Sequence, residues 1–221
     1  MSWLYVISED DIDDCYFLGI TQKISGHSFT LMPQRLRKNG GISAAKKAFY
    51  RVQTQIKWMK QKVEDCFFVM AIDNDRAPAH PEHSRIPGLP PQDQKKECRF
   101  CELEREAMRN LGPRRTEWNI GGAIAIPVQM LESWLLLSLD SSLTDDTLPI
   151  FPDGCKQLKD LFRDFYNQSG LPSKKEFIEK CIDQTNIENL QSRSASFKQF
   201  VDQIYEWNLN PNQPIDPAYR S

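Results

Sequence analysis

Three carboxylates stand where a hard cation could use them. Glu9 follows the apolar run Trp3 to Ser8, and the pair Asp73 and Asp75 follows the run Cys66 to Ile72. Mg²⁺ and Mn²⁺ take oxygen ligands, commonly one or two carboxylates completed by water and phosphate oxygens. Side chains two residues apart just beyond a strand can enter one cleft, and a glutamate from a neighbouring strand end would add a third negative charge. Such a cluster is unfavourable unless a cation or protons neutralise it. The competing reading makes Asp73 and Asp75 solvated turn residues. Asp13 and Asp140 are weaker candidates and read as surface charges.

A second set of donors follows directly. His80-x-x-His83 and Cys98-x-x-Cys101 lie in one Pro-rich stretch that holds two of the three histidines of the chain. Two histidines and two cysteines satisfy tetrahedral Zn²⁺, which would organise a segment poor in core-forming residues. Two readings stand beside it: solvent histidines with buried thiols, and a catalytic module in which His80 or His83 is a general base. Four such donors more naturally close a structural site than open a catalytic one. No Ser/His/Asp or Cys/His nucleophile pattern, Walker loop or dinucleotide glycine fingerprint competes.

The elements that must position these residues can be read from periodicity. Residues 3 to 8 form a strand, and an acidic turn leads into a helix through Cys15 to Ile20. Ser28 to Met32 is a second strand candidate, and Gly40-Gly41 admits a long amphipathic helix over Ser43 to Lys62, whose apolar positions recur at three- and four-residue steps. Cys66 to Ile72 is an unbroken apolar run, as a parallel strand buried on both faces requires. From Arg76 to Glu117 the texture turns to Pro, His and charge, with a short helix expected through Glu102 to Leu111, and reads as an insertion. Ile120 to Pro127 returns as a strand and Met130 to Leu137 as a helix. Amphipathic segments follow at Lys156 to Tyr166, Lys174 to Asp183 and Phe197 to Trp207. Strands alternating with helices imply a parallel sheet with helices on its faces, and such sheets place ligands at the carboxyl ends of their strands.

Composition narrows the classes. With 221 residues the chain suits one core and a modest appendage. A formal net charge of -2 gives nucleic acid no general attraction, so contact would need a local basic patch such as Arg35, Arg37 and Lys38 or Arg114-Arg115. The acidic N-terminus lacks a basic leader, no stretch reaches membrane-spanning length, and six cysteines are too sparse for a disulfide scaffold. A cytoplasmic protein without membrane attachment is expected.

The order of motifs resembles the TOPRIM fold of topoisomerases, primases and overcoming-lysogenization-defect-type nucleases, in which a glutamate follows the first strand and D-x-D a later one. Ser8-Glu9-Asp10-Asp11-Ile12-Asp13 matches the E-G-x-x-D form with Asp10 in the glycine's place, and Asp73-Asn74-Asp75 supplies D-x-D. Ile126 to Leu136 is similar to the glutamate-tryptophan-leucine helix of poorly characterised bacterial TOPRIM-like proteins, and Leu190 to Phe200 to their serine-phenylalanine motif. The resemblance implies a TOPRIM-like α/β domain over 1–150, with the insertion at 76–117, and a helical C-terminal extension over 151–221 packed on the same domain. It implies Mg²⁺ or Mn²⁺ held by Glu9, Asp73, Asp75 and Glu132. The chemistry implied is phosphodiester hydrolysis on nucleic acid, in phage defence or mobile-element biology with a protein partner from the same locus. The alternative keeps the fold as a non-catalytic binding or regulatory subunit.

Overall fold

The computed structural model describes residues 2–36, 41–59, 65–74, 98–115, 118, 120–127, 131–148 and 154–207. Strand β1 (Ser2–Ser8) leads to helix α1 (Asp11–Ser25), β2 (Thr30–Arg35), α2 (Gly41–Met59), β3 (Asp65–Ala71), α3 (Arg99–Leu111), β4 (Gly121–Ala125) and α4 (Leu131–Leu139). Four further helices follow: α5 (Gly154–Ser169), α6 (Lys174–Gln184), α7 (Ile187–Arg193) and α8 (Ala195–Tyr205). The strands form one sheet in the order β2-β1-β3-β4, with every neighbouring pair parallel, as the alternation of strand and helix patterns requires.

Period-two alternation divides the core between the two faces. Leu4, Val6, Phe67, Val69, Ala123 and Ala125 point to the face covered by α1, α4 and the C-terminal helices. Tyr5, Ile7, Phe68, Met70 and Ile124 point to the face covered by α2 and α3. The chain leaves β1 for the edge strand β2 across the first face, then returns past β1 to β3 and on to β4 across the second. Moving one way over one face and the other way over the other keeps a single hand throughout. The direction of winding therefore switches between β1 and β3, where the carboxyl ends of adjacent strands part company and open a crevice.

Three differences from the sequence reading have physical causes. Strand β2 runs to Arg35 through Pro33, because β2 is an edge strand and the ladder hydrogen bond that proline cannot donate is not needed there. Helix α3 starts at Arg99 and buries Phe100, Leu103 and Ala107 against the second face, so the latter part of the segment read as an insertion is the β3–β4 crossover itself. Helix α7 was not expected, since seven residues give too few turns for a periodic signal.

Glycine sets the fit of β4. Gly121 and Gly122 pair with Phe67 and Phe68 of β3, and a Cβ on Gly122 would lie 2.1 Å from the Phe68 ring. The rings cross the bare strand to reach Trp207 on one face and Trp118 on the other, with centroids 5.0 and 5.9 Å apart. Across the first core, Trp134 of α4 donates its indole N–H to Ser196 at 2.9 Å and meets Phe197 edge-on. Helices α4 and α8 thus meet through Trp134, Ser196 and Phe197. Among the described residues no helix is long and apolar enough to cross a membrane.

Candidate metal-binding cleft

The turn after β1 is built almost entirely from carboxylates with defined tasks. Asp10 is the N-cap of α1 and accepts hydrogen bonds from the amides of Ile12 at 2.8 Å and Asp13 at 3.0 Å. Its backbone is extended, with φ -149° and ψ -179°, so the position asks for no glycine, and an aspartate there caps the helix. Asp11, Asp13 and Asp14 occupy the first turn, where the positive end of the helix dipole favours them. Asp14 is buried and accepts the Ser8 hydroxyl, which locks the end of β1 to α1.

Asp13 folds back on this turn and accepts from the Glu9 amide at 3.2 Å. Burial foremost, and then the charge of Asp10 and Glu9, pushes its carboxyl up to about 7. The sequence suggests a surface charge at Asp13; the structure half-buries it, with its carboxylate on the Glu9 amide. Its four-residue separation from Glu9 at a helix start is the signal that marks it. Glu9 itself is exposed at the carboxyl end of β1.

Asp73 lies beyond the end of the adjacent strand β3, across the switch point from Glu9. Its carboxylate Oδ1 accepts the amide of Leu131, the first residue of α4, at 3.1 Å, while its carbonyl accepts from the Arg99 guanidinium at the start of α3. The loop is held from both faces of the sheet at once. A bond to one carboxylate oxygen orients the whole group. Glu132 is half-buried in the first turn of α4, next in sequence to the residue that holds Asp73. The helix dipole alone would favour a glutamate there.

Asp75, His80 and His83 lie outside the described residues. Among the described residues no group of three or more His, Cys, Asp and Glu side chains is arranged to hold a metal ion. Cys98 and Cys101 stand at the start of α3, neither in a disulfide. The Cys98 sulfur caps the helix and accepts from the Cys101 amide at 3.4 Å. Burial first, and contact with the Cys98 sulfur second, pushes the Cys101 thiol up to about 12.

Two other candidates have local duties. Asp140 accepts from the amide and hydroxyl of Ser142 at 2.8 and 2.6 Å, which holds its carboxyl below the usual range. Arg115, considered above for nucleic acid, is committed inside the protein: it pairs with Glu104 at 2.9 Å and stacks over Trp118 at 5.1 Å. No protein family, characterised protein or solved structure matches the chain.

Proposed function

We propose that the crevice between β1 and β3 binds Mg²⁺ or Mn²⁺ and that the protein is a TOPRIM-like phosphodiester hydrolase acting on nucleic acid. The observation that carries this reading is the placement of Glu9 and Asp73 beyond the carboxyl ends of adjacent parallel strands, at the point where the winding of the sheet switches. The donor chemistry fits a hard cation, being carboxylate oxygen alone. The Asp13 carboxyl, raised first by burial and then by the charges of Asp10 and Glu9, shows that acidic groups crowd this turn.

Each residue then has a part. Glu9 and Asp73 would hold the ion from two strand ends, with Asp75 and Glu132 completing the set. Asp13 fixes the Glu9 backbone through its amide, and Leu131 and Arg99 fix Asp73. Bound there, a divalent ion would polarise a phosphoryl oxygen and lower the pKa of an attacking water. The rival reading, a regulatory subunit, draws on the fact that the Asp73 carboxylate already has a structural partner in α4.

Asp73→Asn separates the two, because it removes the charge and keeps an acceptor for the Leu131 amide. Mg²⁺- or Mn²⁺-dependent cleavage of DNA or RNA is expected to fall by at least about a hundredfold with the melting temperature nearly unchanged. Cleavage that survives the change would remove Asp73 from the chemistry. Wild-type protein inert on single-stranded, duplex and supercoiled substrates, alone and with a partner from the same locus, would leave the regulatory reading.

We also propose that Cys98 and Cys101 bind zinc, with His80 and His83 as the further donors. Two sulfurs three residues apart at the start of α3, one of them capping the helix, would supply two corners of a tetrahedral site. Elemental analysis of protein purified without a histidine tag is expected to give one zinc per chain. None, with both thiols freely titratable, would leave Cys98 as a helix cap only.

A further inference from the structure

Helix α2 carries Lys46, Lys47, Arg51 and Lys57 and no acidic residue, although the whole chain has a formal net charge of -2. Lys46 is engaged with Glu102 of α3. The buried stripe of α2, Ala45, Ala48, Phe49 and Val52, faces the sheet and α3. Among the described side chains of the helix, the exposed ones are Ser43, Lys47, Tyr50, Arg51, Thr54 and Trp58. They recur at three- and four-residue steps and so fall within an arc of about 100° on the opposite side.

Two of them are large aromatics that a soluble surface does not ordinarily present. Tyr50 is 68 % exposed and Trp58 48 % exposed, among the largest exposures of any apolar side chain described. They stand roughly 12 Å apart along the axis, at 1.5 Å per residue. The two cations Lys47 and Arg51 flank Tyr50 on the same stripe. Exposed aromatics on one stripe with cations, on a helix without a negative charge, suit a chain of phosphates with unpaired bases: the phosphates meet the cations and the bases contact the rings. A duplex keeps its bases out of reach of such rings. In a parallel β-α-β unit the helix following a strand starts at that strand's carboxyl end, so α2 begins at the end of the sheet where Glu9 and Asp73 lie.

We propose that the exposed face of α2, through Lys47, Tyr50, Arg51 and Trp58, binds single-stranded nucleic acid. The inference rests on the reading of the protein as acting on nucleic acid and names the form of substrate and the surface that receives it.

Fluorescence anisotropy of labelled twenty-nucleotide oligo-dT and oligo-U, in EDTA and at several salt concentrations, tests it on the full chain. Wild-type protein should bind with an affinity that falls with salt, and unlabelled duplex should compete poorly. Tyr50→Ala with Trp58→Ala should weaken binding at least about tenfold. Lys47→Glu with Arg51→Glu should weaken it and also flatten the slope of log affinity against log salt by about 1.4, at about 0.7 per phosphate contact for a single strand. Because the charge pair and the aromatic pair read the same face independently, misfolding of one variant leaves the other decisive. Unchanged affinity in the folded variants, or no binding of either oligonucleotide by wild-type protein, overturns the proposal. So does self-association that both variants abolish, since the face would then join copies of this chain. EDTA keeps the test apart from the metal site: Mn²⁺ binding lost in Asp73→Asn but kept in the α2 variants would leave the cleft standing whatever the oligonucleotides do.

Discussion

Single side chains carry much of the joinery between the sheet and the helices packed on it. Gln203 of α8 accepts the amide of Ile124 at 2.8 Å and donates to its carbonyl at 3.0 Å. Strand β4 is an edge of the sheet, and a buried side-chain amide takes the place that a fifth strand would occupy. Gln203→Leu should leave both backbone groups unsatisfied and cost about 1–3 kcal/mol each at most, seen in denaturant unfolding. Gln203→Glu should also destabilise, because a carboxylate cannot donate to the Ile124 carbonyl. Stability unchanged in both would mean that the edge is satisfied otherwise. Arg193 shows the same economy: its guanidinium donates to the carbonyls of Leu137, Asp140 and Leu143 and so closes the C-terminal end of α4. Neither residue can be found from spacing, since each meets these partners fifty or more positions away in the chain.

Among the elements, β4 makes the sharpest demand on sequence. Its two leading glycines admit the rings of Phe67 and Phe68, which reach across from β3 to stack on tryptophans of opposite faces. Gly122→Ala places a methyl group inside the Phe68 ring, and overpacking of that kind costs about 1–3 kcal/mol. The loss should shrink in a Phe68→Leu background, where the methyl has room, and a double-mutant cycle by thermal unfolding reads the coupling. Additive effects would show that ring and strand do not compete. The strands β1, β3 and β4 were legible as apolar runs because burial on both faces leaves no polar interruption. The end of β2 was not, because a proline hides an edge strand, and the start of α3 was not, because a cysteine caps it in place of a serine or an aspartate.

At the scale of the whole molecule, the doubly wound topology explains why acidic residues far apart in sequence gather at one end. Glu9 and Asp73 are legible as candidates because each follows an apolar run. Asp13 fits the last position of the E-G-x-x-D pattern, but its bond to the Glu9 amide and its burial do not follow from spacing. Asp10 was legible only as a departure from the E-G-x-x-D pattern, whereas its extended backbone makes it a helix cap. The same topology sets α2 with its start at the cleft end and its polar stripe outward, a relation that the net charge of the chain conceals. One ion bridging two strand ends is what the proposed cleft requires above all. Anomalous diffraction from crystals soaked in Mn²⁺ measures this directly. A peak between the carboxylates of Glu9 and Asp73, absent from Asp73→Asn crystals soaked alike, is the expected result. A well-ordered cleft with no peak at millimolar Mn²⁺, or a peak ligated by neither residue, would contradict it.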